Sequence, residues 1–127
     1  ELRAEPAQEL PEYRAQDVVG RSMESQEFRA LLEAVQNTLG RILSSADLKK
    51  LFGLYEELGL PADVIMLLVQ YCKDTTAERY GTQRTVGFAY IEKEAYVWVN
   101  REIDTYEQAE RWLAELELHG YHSRVVG

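Results

Sequence analysis

The apolar run VIMLLV, Val64 to Val69, follows Pro61 closely and constrains this chain more than any other feature. A proline suits the first turn of a helix, where its missing N–H has no partner to lose. The segment PADVIMLLVQYCKD then continues without glycine or a further proline. A helix that is apolar around most of its circumference must be buried on most sides. The segment is therefore read as the central helix of a bundle, and the rest of the chain must surround it.

The flanking segments supply candidates. Ser25 is a plausible N-cap with acidic Glu27 in the first turn, and Phe28, Leu31, Leu32, Val35 and Leu39 repeat along one helical face ending near Gly40. Ser44 and Ser45, with Asp47 behind them, open a second helix. Its face is Leu48, Leu51, Phe52, Tyr55 and Leu58, and Gly59 stops it. Residues 75–86, TTAERYGTQRTV, are polar and read as a loop. Thr105 and Gln108 match a capping box. Tyr106, Ala109, Trp112, Leu113 and Leu116 then line a last helix closed by His119 and Gly120.

The stretch GFAYIEKEAYVWVN, Gly87 to Asn100, fits either a hairpin or a helix. A hairpin needs turn residues that tolerate positive φ, and Glu92, Lys93, Glu94 and Ala95 are helix formers instead. A lone hairpin would also lack a partner sheet. On a helix, Phe88, Ile91, Ala95, Trp98 and Val99 share a stripe about 100° wide, with Tyr90, Glu94 and Val97 on its flank. The helical reading is adopted. The fold expected is a compact, single-domain, all-α bundle of about five helices with no sheet. Residues 1–24 read as an acidic linker or partly ordered segment, 25–120 as the helical domain, and 121–127 as a tail.

Composition narrows the function. No apolar run approaches the roughly 20 residues that span a bilayer, and no secretory signal is present. Beginning with Glu1, the chain reads as a fragment or excised domain. Its single cysteine, Cys72, cannot form an internal disulfide and suits a reducing cytoplasm. On the buried helix it reads as an inert core thiol. Net charge is −8, spread as −3, −2 and −3 over residues 1–20, 21–74 and 75–127. That distribution opposes a broad grip on nucleic acid, so any such contact would use a local patch.

Several motifs carry a family resemblance. GRILSSADLKKLFGLYEELGLPADVIMLLVQYC is similar to a Gly-Arg-x-Leu-Ser start, followed by an aromatic-bearing helix and a helix opening with Val-Ile. YIEKEAYVW stands where a Tyr-x-x-x-Ile-x-x-x-Trp signature would, with Tyr90 and Trp98 in register, and REIDTYEQA resembles the segment after it. Together, over Phe28 to Leu116, they resemble the DnaD-like domain of bacterial primosome components and phage replisome organisers. Two positions depart from the pattern: the signature's central Ile is Glu94, and the Gly common before the next Ile is Glu102. Members of that family commonly continue into a polar tail that helps hold DNA, and this sequence stops at Gly127.

The resemblance implies a cytoplasmic, bacterial or phage-encoded, non-enzymatic scaffold that works without a cofactor during replication initiation. Its implied partners are a DnaA-like initiator and helicase-loading proteins, with DNA contact and self-association at the signature helix. The competing expectation is a pure protein–protein module with no DNA contact, which the charge of −8 and Glu94 favour.

Candidate residues follow. Tyr90 and Trp98 could stack on bases, or Trp98 could anchor the core with Tyr90 packing beside it. Arg79, Arg84, Lys93 and Arg101 could line a groove, and Arg41, Lys49 and Lys50 form a second basic group that would equally serve a protein partner. Surface Tyr80, Tyr106 and Tyr121 would suit a protein interface. Glu115, His119 and His122, at spacings of four and three, could ligate a metal. Gly120 breaks that helix before His122, so the histidines read as surface residues. No catalytic motif is present.

Overall fold

The chain's own stop and start signals divide it into α1 (Gln26–Leu39), α2 (Ser45–Glu56), α3 (Ala62–Tyr80), α4 (Phe88–Asn100) and α5 (Tyr106–Leu118). The computed structural model describes residues 24–118, and these contain five helices and no strand. Ser25 Oγ accepts from Phe28 N at 3.0 Å and Ser44 Oγ from Asp47 N at 3.1 Å, so α1 and α2 start where their caps direct. Thr105 and Gln108 form the reciprocal capping box of α5, at 3.1 and 3.2 Å. Gly40 and Gly59 take φ of 75° and 70°, the left-handed conformation that ends a helix cheaply only for glycine.

α3 is the hub and packs against each of the other four helices. Val64, Ile65, Leu68, Val69 and Cys72 are fully buried, and Met66 and Leu67 partly so. Burial pushes the Cys72 thiol far above its usual range, with Glu94 adding to the effect. Phe28 of α1 meets Phe52 edge-on at 5.0 Å between ring centroids, locking α1 to α2. α2 lies against α1, α3 and α4. It therefore buries a wider arc than its periodic face, including Leu54, while Leu48, Tyr55 and Leu58 remain partly exposed. α5 packs on α3 alone among these helices. Of its apolar face only Ala109 is buried, and Tyr106 is exposed.

The disputed segment is a helix. α4 buries Phe88, Ile91, Ala95 and Trp98, leaving Tyr90, Glu94, Val97 and Val99 half-buried. Its end is a Schellman motif: Ile103 N donates to Trp98 O and Glu102 N to Val99 O, both at 2.9 Å. Ile103 is buried beside Trp98's end of the helix, as that motif's hydrophobic contact requires. Glu102 holds the left-handed position with φ 61°, which is the physical demand behind a glycine there.

One expectation fails. Residues 75–80, read as the start of a loop, continue α3 to Tyr80, and the connection is only Gly81–Gly87. The polar residues are accommodated because Thr75 is buried and satisfied. Its hydroxyl donates to the Cys72 carbonyl at 3.2 Å and lies 2.8 Å from the Tyr90 hydroxyl. Having a single proton, already given to Cys72, Thr75 accepts from Tyr90. Leu43, Leu60, Val86 and Ile103, all outside the helices, complete the core.

Two outcomes are expected from this geometry. Replacing Glu102→Gly relieves the left-handed strain and raises stability by about 0.5–1 kcal/mol, after the glycine's extra unfolded-state freedom is subtracted. That is a gain of roughly 3–6 °C in a thermal melt, and an unchanged melt would show that position 102 is unstrained. Thr75→Val and Tyr90→Phe each cost about 1 kcal/mol in urea unfolding. The double variant costs less than their sum, because both remove one hydrogen bond; strict additivity would mean that the hydroxyls do not interact.

Candidate nucleic-acid interface

Where α3 overruns the core, its last turn meets the start of α4 across the Gly81–Gly87 loop. A groove of about 320 Å³ opens there, lined in part by Arg79, Tyr80, Arg84, Tyr90 and Lys93. Four sequence candidates thus converge, drawn from three different segments, and Tyr80 joins them. Thr75, Thr76, Thr85 and Gly87 complete the lining, which contains no carboxylate. Three cations on one concave surface form a local positive patch in a chain of net charge −8.

Tyr90 lines the groove half-buried. Its hydroxyl is tied to Thr75, and burial pushes its pKa above the usual tyrosine range, so it stays protonated. Tyr80, at the rim, is 59% exposed, and the Arg84 guanidinium stands 4.6 Å from its ring centroid. Glu94 lies one turn beyond Tyr90, half-buried and outside the lining. Burial raises its carboxyl above the ordinary range while Lys93 pulls it back.

The remaining candidates lie elsewhere. Trp98 is fully buried, with its ring centroid 6.3 Å from that of Tyr71, and offers no surface to a base. Its helical phase points into the bundle, about 80° from Tyr90 and about 140° from Lys93. Arg101, two turns past Lys93, sits 4.5 Å over the Trp112 ring in a separate cleft of about 270 Å³ shared with Glu102 and Glu115. Arg41 is engaged internally: it donates to Asp47 at 3.1 Å and to the Val86 carbonyl at 2.8 Å, pinning the Gly81–Gly87 loop to the start of α2. Lys50 approaches Glu92 of α4 at 4.0 Å, a surface pair worth little, and Lys49 is half-buried. The second basic group is thus divided among separate tasks.

Glu115 is exposed, while His119 and His122, like Tyr121, lie outside the described residues. Among the described residues no cluster suited to a metal occurs, and no helix is long and apolar enough to cross a membrane. Sequence reasoning took Arg79 for the groove but read Tyr80 as a protein-interface aromatic, and it did not name the threonines, two of which lie on the part of α3 it read as a loop. The signal that could have found them was the absence of any helix breaker before Gly81.

Comparison with known families agrees with this architecture. Residues 32–112 match the family described as replication initiation and membrane attachment. Neither the curated proteins nor the solved structures include a match to the chain. The matched stretch runs from within α1 to within α5 and takes in the whole groove. With 32–112 of 127 residues matched and an all-α bundle beneath them, the chain belongs to the DnaD-like replication initiation and membrane attachment family, whose role is in starting replication.

Proposed function

We propose that this domain is a non-enzymatic scaffold of replication initiation that holds DNA by its phosphates in the α3–α4 groove while other faces meet initiator and helicase-loading proteins. The observation that carries the DNA contact is the groove itself: Arg79, Arg84 and Lys93 line it and no carboxylate does. Such a lining suits phosphate oxygens. A lone buried thiol accords with a cytoplasmic setting.

The second reading, a module that contacts only proteins, draws on the net charge of −8 and on Ile42, 79% exposed between α1 and α2. Binding to labelled single- and double-stranded DNA across a salt series separates the two. Three phosphate contacts predict a roughly 20–40-fold loss of affinity between about 50 and 200 mM salt. Arg79→Ala and Lys93→Ala each weaken binding and lower the salt slope by about one. Absence of binding at the lowest salt removes DNA from the groove and leaves the protein-contacting scaffold.

A further inference from the structure

We propose that the groove takes one unstacked nucleotide of a single DNA strand, its base laid on the Tyr80 ring and its phosphate held by Arg79, Arg84 and Lys93. This rests on the phosphate-contact reading above and adds the part that meets the base. Tyr80 ends α3 at the groove rim, more than half exposed, with Arg84 over its ring. An exposed cation–π contact is weak, whereas a guanidinium on a phosphate forms charge-assisted, often bidentate hydrogen bonds. An arriving phosphate therefore draws Arg84 off the ring. The bared face is then covered by the nearest π surface, the base on the same nucleotide.

The other aromatic candidates cannot take this part. Trp98 is fully buried, and Tyr90 is half-buried with its hydroxyl committed to Thr75. A duplex keeps its bases stacked on one another and shows only their edges in its grooves. It can offer phosphates to the three cations but no face to Tyr80. At about 320 Å³ the groove lies at the small end of ligand sites, room for one nucleotide.

The test uses the full 127-residue chain and fluorescence anisotropy with three probes: labelled oligothymidylate, an abasic strand of equal length, and a duplex. The abasic strand keeps the phosphates and removes the bases. The expected result is about tenfold tighter binding of oligothymidylate than of the abasic strand. Tyr80→Ala, folded by circular dichroism, removes that difference, Tyr80→Phe retains it, and Arg79→Ala weakens both strands alike. Equal affinity for the two strands in the native chain overturns the inference and leaves phosphate contact standing. A difference that survives in Tyr80→Ala also overturns it, because the stack is then elsewhere. Binding of thymidine monophosphate as tight as that of the strand reassigns the groove to a free nucleotide. Absence of any binding overturns the inference together with the reading beneath it.

Discussion

Everything in this domain is arranged around the burial of α3. Each fully buried Val, Ile or Leu is worth roughly 1.5–3 kcal/mol relative to exposure, and Val64, Ile65, Leu68 and Val69 all reach zero exposure within two turns. No single neighbour can cover a helix on that many sides, so α1, α2, α4 and α5 each take a sector. The apolar demand ends before the helix does. Past Cys72 the sequence turns polar, yet α3 runs on to Tyr80 because Thr75 is satisfied inside the bundle. The groove follows from that mismatch, a helix that outlasts its apolar run by about two turns and projects arginine and tyrosine beside the start of α4.

α4 divides its two faces between different tasks. Inward, Trp98 packs near Tyr71, and Ile103 closes the helix behind it through the Schellman motif. The Trp98 indole nitrogen is buried without a hydrogen-bond partner, a cost that is outweighed by the area so large a ring removes from water. Outward, Tyr90 and Lys93 face the groove. Glu94 falls between the faces, where burial penalises its charge. The Gly81–Gly87 loop is held by Arg41 from the far side, which keeps Arg84 within reach of Tyr80 without any helical support of its own.

How much of this was legible depends on the kind of signal. Helix starts read correctly where a side chain caps the backbone, as at Ser25, Ser44 and Thr105, because capping chemistry is local. The inner face of α4 read correctly because Phe88, Ile91, Ala95 and Trp98 keep helical spacing. Two kinds of feature did not. Polar Thr75 is buried in α3 with one local partner, the Cys72 carbonyl, and one 15 residues away, Tyr90, which no local pattern announces. Leu43, Leu60, Val86 and Ile103 enter the core from connections, where periodicity is silent. At the site, Arg79, Arg84 and Lys93 were grouped from the sequence as groove residues, whereas sequence distance concealed that Arg41 is structural and that Arg101 lies in a separate cleft.

The net charge of −8 looks hostile to DNA, but charge total and local potential govern different steps. At physiological ionic strength the screening length is about 8 Å, so carboxylates beyond the groove's rim act weakly on a phosphate already inside it. They act more on the approach, where the summed field sets how often an encounter occurs. Groove residues act mainly on how long the encounter lasts, which is where related complexes differ most in affinity. On the function proposed above, an acidic domain with a carboxylate-free groove would meet DNA slowly and owe its affinity to the lifetime of the contact. That combination would let such a scaffold hold a strand at one place without coating the duplex around it.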